Sequence, residues 1–158
     1  MSVGLIDTSI FCELLGVPGK SGQVGEIRAA LRTKIGAGEV LLLPMTTIIE
    51  TGNLIGQCST DGGMRRSHAI KFVELVKKAI DGEAPFVPTQ FPDSTDIRRW
   101  LDEFPAWTMR TVRGKGSGFG DLTIKEEWER QCLLNQARRV YIWSLDDQLT
   151  PYDRSPVL

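Results

Sequence analysis

Histidine is almost absent from this chain, and that scarcity excludes several kinds of catalytic site. The sequence has 158 residues and one histidine, His68. A mechanism that uses one histidine as acid and another as base is therefore impossible. No G-x-S-x-G sequence supplies the serine of a Ser-His-Asp hydrolase either. We interpret His68 as a residue at a helix surface or at the edge of the core.

Cysteine and long apolar runs are scarce as well. The three cysteines, Cys12, Cys58 and Cys132, lie far apart without a C-x-x-C pair, which indicates reduced thiols rather than a disulfide framework or a zinc site. No apolar run approaches the length of a membrane span, and the N-terminus lacks a basic region before a long apolar one. These absences predict a cytoplasmic protein with no membrane partner.

The charge is nearly balanced, with a formal net charge of -1. This value argues against a generally basic coat for nucleic acid, although a local basic patch remains compatible with it. A hydrophobic fraction of 41% and a charged fraction of 25% are typical of globular proteins. The length predicts a single domain over residues 1–158.

Short strand-like runs alternate with helical patterns along the chain. The predicted strands are Met1–Ile6, Val40–Leu43, Phe86-Val87 and Val140–Trp143. The predicted helices are Ser9–Leu15, Val24–Ile35, Thr46–Gln57, Met64–Ile80, a segment burying Ile97, Trp100, Leu101 and Phe104, and Leu122–Ala137, with Pro105–Gly120 as a loop. This alternation predicts an α/β fold, a three-layer sandwich in which helices flank a mostly parallel central sheet.

Four carboxylates lie at corresponding points of this pattern. Asp7 follows the first strand, Glu50 lies early in a helix with Thr46 or Thr47 as its cap, Asp121 opens another helix, and Asp146 follows the last strand. Open α/β sheets bind ligands at such points. Each residue alone has an ordinary interpretation, such as a helix cap for Asp7. Together they would repel one another without a divalent cation, so they predict a metal-dependent enzyme.

The settings of these carboxylates resemble the motifs of the PIN-domain ribonucleases. The segments that carry the resemblance are Leu5–Ser9, Thr47–Glu50, Gly120–Ile124 and Ser144–Asp146. The resemblance implies a cluster that binds Mg²⁺ or Mn²⁺ and cleaves single-stranded RNA. Many members of that family are VapC-type toxins, so it also implies RNA and an antitoxin protein as partners; a homodimer is left open. Ser144 stands where threonine is commoner, and the region 82–118 is longer than in the smallest toxins.

The predicted roles follow from this resemblance and from metal chemistry. We expect Asp7, Asp121 and Asp146 to hold the metal directly or through water, and Glu50 to hold a second ion or polarise the water. Ser9 and Ser144 would hydrogen-bond a carboxylate or a phosphate. Whether Asp146 or Asp147 faces the metal stays open.

Basic and aromatic residues near the third motif suggest contacts with RNA. Arg110, Arg113 and Lys115 could hold phosphates. Trp107 and Phe119 could stack on bases, or equally could pack in the core.

The sequence predicts a metal-dependent endoribonuclease, with two alternatives. One is a PIN-like domain without activity that binds RNA or protein. The other is a different metal-dependent hydrolase, such as a phosphatase, although Asp7-Thr8-Ser9 lacks the D-x-D motif of the phosphotransferase type.

Overall fold

The computed structural model of the protein describes residues 1–112 and 114–157. The helices are α1 (Thr8–Leu15), α2 (Val24–Gly36), α3 (Met45–Gln57), α4 (Gly62–Ile80), α5 (Ser94–Thr108) and α6 (Phe119–Leu134). The strands are β1 (Ser2–Ile6), β2 (Val40–Leu43), β3 (Val87–Pro88), β4 (Thr111–Val112), β5 (Lys115–Gly116), β6 (Arg139–Trp143) and β7 (Asp153–Arg154). None of these described helices is both long enough and apolar enough to cross a membrane.

The main sheet has the strand order β3-β2-β1-β6-β7. Strands β3, β2, β1 and β6 pair in parallel, whereas β7 pairs with β6 in the antiparallel direction. The α/β class is confirmed, but among the described residues the sheet is mixed, so the expectation of a mostly parallel sheet is corrected. The chain returns from β6 to β7 within nine residues, and a connection that short suits only an antiparallel pair.

Apolar side chains of the sheet pack on both of its faces. Along β1, Val3 and Leu5 contact one hydrophobic cluster, which also contains Ile124 of α6. Ile6 belongs to a second cluster with Phe11 of α1. Because successive side chains of a strand point to opposite faces, Leu5 and Ile6 of β1 contribute to different clusters.

Two predicted boundaries near α5 and α6 are wrong. The segment Pro105–Gly120 is not a loop throughout, because α5 continues to Thr108 and β4 and β5 form an antiparallel hairpin. Pro105 lies in the last turn of α5, where its missing N–H removes only one intrahelical hydrogen bond. Helix α6 spans Phe119–Leu134 rather than Leu122–Ala137.

The parallel strands bring three chain segments to one edge of the sheet. Strands β1, β2 and β6 end at Ile6, Leu43 and Trp143, and β1 lies between the other two. The chain leaves β1 through α1, whereas it enters β6 from α6, and these two helices pack in different hydrophobic clusters. Such a change of side at neighbouring strands creates a crevice at the carboxyl end of β1. Asp7, Glu50 and Asp146 follow these three strand ends, whereas Asp121 lies in the first turn of α6.

Candidate active site

Asp7 lies at the centre of this edge, directly after β1. Its backbone N–H donates to the carbonyl of Trp143 at 3.0 Å, which holds the ends of β1 and β6 together. Its side chain caps α1 by accepting the N–H of Ser9 at 3.3 Å. The residue is 7% exposed. The helix-cap interpretation of Asp7 is therefore correct, and it coexists with a position among the other carboxylates.

Two serine hydroxyls hold the same oxygen of Asp7. Ser9 Oγ donates to Asp7 Oδ2 at 2.7 Å, and Ser144 Oγ donates to it at 2.8 Å. The two residues come from α1 and from the segment after β6, 135 positions apart in the chain. Two hydrogen bonds to one carboxylate oxygen fix the orientation of that carboxylate.

Glu50 reaches the site from the second turn of α3. Pro44, rather than Thr46 or Thr47, occupies the cap position of this helix. The hydroxyl of Thr47 instead donates to the carbonyl of Ile6 at 2.7 Å, which fastens α3 to the end of β1. One helical turn later, Glu50 projects toward the same strand end.

The hydroxyl of Thr8 completes the setting of Glu50 by donating to its Oε2 at 2.8 Å. Burial raises the pKa of Glu50, the Thr8 hydrogen bond opposes that rise, and the charge of Asp7 adds to it. Sequence reasoning gave Thr8 no role. Thr8 is adjacent to Asp7 in the sequence, which suggests a position at the site. The sequence does not reveal that its hydrogen-bond partner lies 42 residues away.

Asp121 lies in the first turn of α6, and Gly118 is the cap residue. Burial raises the pKa of Asp121 to about 6, and the charges of Asp146, Asp7 and Glu50 contribute further. A hydrogen bond from the Gly118 backbone opposes this rise. The pKa of Asp121 thus responds to all three other predicted site carboxylates, so the structure brings the four into one electrostatic environment.

Gly120 allows α6 to approach α3 at this point. A Cβ atom placed on Gly120 would overlap the carboxylate of Glu50. The hydroxyls of Thr46 and Thr123 pair directly next to this contact, and Thr123 Oγ1 also donates to the Gly120 carbonyl at 2.8 Å. Sequence reasoning placed Gly120 in a motif without explaining it, because close approach of distant elements is not visible in a local pattern.

The segment after β6 positions Asp146. Its backbone N–H donates to Ser144 Oγ at 2.9 Å, and its Oδ1 accepts the N–H of Gln148 at 2.8 Å. Of the neighbouring charges that raise the pKa of Asp121, that of Asp146 contributes most. Asp147 is exposed. The geometry therefore favours Asp146 as the site carboxylate.

Arg110, one of the predicted phosphate-binding residues, has protein partners. Its Nη1 donates to the Tyr152 hydroxyl at 2.9 Å, and its guanidinium lies 4.7 Å from the ring centre of Trp107. Trp107 itself is buried and donates its indole N–H to the carbonyl of Gly118. Trp107 is consequently a packing residue. Arg113 and the side chain of Lys115 lie outside the described residues.

The donor chemistry of the site suits a hard cation. Carboxylate and hydroxyl oxygens surround the edge of the sheet, and Mg²⁺ and Mn²⁺ prefer oxygen ligands. Burial and then repulsion from the neighbouring carboxylates raise the pKa of Asp121, and a cation would relieve that repulsion. Within residues 1–112 and 114–157, however, no three or more His, Cys, Asp or Glu side chains form a preformed metal-binding group.

Comparisons with protein-family models, curated proteins and solved structures give no match to this chain. Any function must therefore be argued from the geometry and chemistry of the site.

Proposed function

We propose that the chain is a metal-dependent endoribonuclease of the PIN type that cleaves phosphodiester bonds in single-stranded RNA. The proposal includes the PIN-like three-layer arrangement and the motif resemblance described above. One observation carries it: Asp7, Glu50, Asp121 and Asp146 come from four separate segments, and the charges of the other three add to the effect of burial in raising the pKa of Asp121. Carboxylates gathered at the carboxyl edge of parallel strands are suited to cation binding.

In this proposal Asp7, Asp121 and Asp146 would hold Mg²⁺ or Mn²⁺, and Glu50 would hold a second ion or orient the attacking water. A bound divalent ion lowers the pKa of water and neutralises charge on the phosphate. Hydroxyl side chains of the protein would orient these carboxylates. Ser9 and Ser144 orient Asp7, and Thr8 orients Glu50.

The decisive experiment measures cleavage of a generic single-stranded RNA with Mg²⁺ or Mn²⁺, and with EDTA. We expect cleavage that EDTA stops and Mg²⁺ restores. Asp121→Asn and Asp146→Asn should each reduce the rate at least tenfold. Asp102→Asn is the matched control, because Asp102 is an exposed carboxylate on α5 outside the cluster. Metal-independent cleavage, or full activity in Asp121→Asn, would contradict the proposal.

The lack of a preformed metal-binding group among the described residues favours a second candidate, an inactive PIN-like module that binds RNA or protein. This candidate predicts RNA binding that is unaffected by EDTA and never followed by cleavage. Hydrolysis of p-nitrophenyl phosphate without RNA cleavage would instead indicate another metal-dependent hydrolase. If the protein is a toxin, a small partner protein encoded beside it should suppress the cleavage.

A further inference from the structure

A cavity of about 420 Å³ opens beside the carboxylates, between α3, α5 and α6. Glu50 and Gly120 line this cavity and also belong to the carboxylate site. The cavity and the site are therefore continuous. Its volume lies within the range of cavities that bind small molecules, roughly 300–1,000 Å³.

The wall of the cavity is largely aromatic and apolar. Phe91, Trp100 and Phe119 line it together with Ile49 and Ile97. Phe91 is 69% exposed and Ile49 is 55% exposed, which is unusual for side chains of this type when they share one concave surface. Exposed apolar residues grouped in this way typically mark a binding groove.

The arginine side chains that line the cavity already have hydrogen-bond partners. Arg99 Nε donates to Glu126 at 3.0 Å, and Arg130 Nη2 donates to Gln90 at 3.2 Å. Asp96 adds another acidic side chain to the wall. A phosphate would meet negative charges there and few available donors, so the cavity suits an uncharged group.

One donor in the cavity wall lacks a partner among the described residues. The indole Nε1 of Trp100 is closed to solvent and makes no hydrogen bond to them, so a ligand reaches it only if the Trp100 side chain turns toward the cavity. Leaving a buried donor unpaired is costly, so a turn that pairs it with a ligand acceptor is favourable. The edges of nucleobases carry carbonyl oxygens and ring nitrogens that can accept this bond. A peptide carbonyl could accept it as well, but the cavity is continuous with the carboxylate site, which favours a base of the RNA.

We propose that this cavity binds one unpaired nucleobase of the RNA strand, next to the bond that is cleaved. The inference rests on the proposed ribonuclease function and names the part of the substrate that lies beside the carboxylates. Unpaired bases bind proteins by stacking on aromatic rings and by hydrogen bonds from their edges. Phe91, Trp100 and Phe119 supply ring surfaces.

The first test measures base binding without cleavage. The four nucleoside 5′-monophosphates are titrated into the protein in EDTA, with ribose 5-phosphate as the base-free control. We expect at least one nucleotide to shift the indole N–H resonance of Trp100, which is assigned by its loss in Trp100→Phe. Ribose 5-phosphate should not shift it. If all five compounds leave this resonance unchanged at millimolar concentration, the inference is overturned.

Phe91→Ala gives a variant test, because Phe91 is so exposed that the fold should survive its truncation. We expect its affinity for the nucleotide to fall about tenfold, within the range for losing one stacked base. Leu133→Ala is the matched control, since Leu133 is 73% exposed and is not part of the cavity wall. Equal affinities in the two variants would overturn the inference.

The second test asks whether the base itself carries the effect in RNA. An abasic residue is placed in turn at each position of a short RNA, and binding is measured for wild type and Phe91→Ala. At one position, we expect the abasic change to weaken wild-type binding and to remove the penalty of Phe91→Ala. A penalty that persists at every abasic position overturns the inference, because Phe91 then acts on RNA binding without stacking on a base.

The outcomes separate this inference from the proposed function. Nucleotide binding without metal-dependent cleavage would support the cavity inference and contradict the ribonuclease. Metal-dependent cleavage with no base-dependent effect of Phe91→Ala would support the ribonuclease and overturn the cavity inference.

Discussion

Ser144 donates a 2.8 Å hydrogen bond to Asp7 across the sheet, from the segment after β6 to the end of β1. The same hydroxyl oxygen accepts the backbone N–H of Asp146 at 2.9 Å. One side chain therefore positions two of the carboxylates. This arrangement explains in physical terms why a hydroxyl residue stands two positions before the last aspartate.

We predict that Ser144→Ala destabilises the protein and that Ser144→Thr does not. Alanine removes a donor to a buried carboxylate, a loss of about 1.5–3 kcal/mol for a hydrogen bond to a charged group. Threonine keeps the hydroxyl. Urea denaturation measures the free energy of unfolding, and cleavage of RNA provides a second measurement in which Ser144→Ala should be slower. Equal stability of the two variants would show that this hydrogen bond contributes nothing.

The raised pKa of Asp121 predicts that the stability of the protein depends on pH. Its folded pKa of about 6 lies above the ordinary value of 3.8, so the folded state binds the proton more tightly. The stability that this tighter proton binding contributes is fully present below about pH 4 and is lost as the pH rises through 6. In EDTA at pH 7.5, Asp121→Asn should raise the melting temperature by roughly 2–4 °C, the shift that about 1 kcal/mol produces in a domain of this size.

At pH 4 most of the difference between the melting temperatures of wild type and Asp121→Asn should disappear, because the wild-type carboxyl is then protonated in the folded state and about half protonated in the unfolded state. Asp102→Asn, the exposed control, should show no such dependence on pH. A constant difference between Asp121→Asn and wild type from pH 4 to 7.5 would indicate an effect of shape instead of charge.

Much of the fold is predictable from local pattern, but the site geometry is less so. Strand β2 is predicted with its observed bounds, Val40–Leu43, because Pro44 ends a compact apolar run. Strand β7 has only two residues and no hydrophobic pattern, so it is invisible in sequence. The sequence predicts the start of α6 three residues late, since Gly118 and Gly120 resemble a loop, whereas in the structure Gly118 is the cap residue and Gly120 lies inside the helix.

Asp7 and Asp146 are predictable because strand ends have a sequence signature, and Glu50 and Asp121 because each lies near the start of a predicted helix. Their hydrogen-bond partners are not, since the Thr8–Glu50 and Ser144–Asp7 pairs join residues 42 and 137 positions apart. The cavity wall was missed for the same reason. Phe91 follows β3, whereas Trp100 and Phe119 belong to α5 and α6, and no local pattern relates them.

Gly120→Ala should damage the site, although alanine normally stabilises a helix. The added methyl group would overlap the carboxylate of Glu50, so either Glu50 or the start of α6 must move. Gly118→Ala is the matched control, because a Cβ at Gly118 has no neighbour within 4 Å. We expect Gly120→Ala to cleave RNA at least tenfold more slowly and to gain less stability from Mn²⁺. Equal activities of the two variants would show that the site tolerates the displacement.

Cys12 should be unreactive in the folded protein. Burial raises the pKa of its thiol to about 11; the nearby Thr51 hydroxyl and the charge of Lys20 oppose this rise, and the charges of Asp7 and Glu13 add to it. Only the thiolate attacks a disulfide reagent, and Cys12 is 1% exposed. At pH 8, labelling of Cys12 by a disulfide reagent should proceed only as fast as unfolding, as followed by peptide mass spectrometry. Rapid labelling in native buffer would contradict the packing around α1.

The cations near the β4–β5 hairpin should differ in their contribution to RNA binding. Arg110 is held by the Tyr152 hydroxyl and lies over the Trp107 ring, so contacting a phosphate would require it to give up existing partners. Arg113 and Lys115 are predicted phosphate ligands from their position in the sequence. Each phosphate contact on a single strand contributes about 0.7 to the salt dependence of binding.

We therefore expect Arg113→Ala combined with Lys115→Ala to reduce the slope of log affinity against log salt by about 1.4, with the melting temperature nearly unchanged. Arg110→Ala should leave the slope unchanged and lower the melting temperature slightly, because the lost contacts are at the surface. Affinity measured by fluorescence anisotropy between 50 and 300 mM salt would separate the two variants. If Arg110→Ala alone reduces the slope, its contact with Tyr152 must exchange for a phosphate when RNA binds. If neither variant changes it, the strand crosses another surface, and the paired arginines Arg65-Arg66 and Arg138-Arg139 should be replaced next.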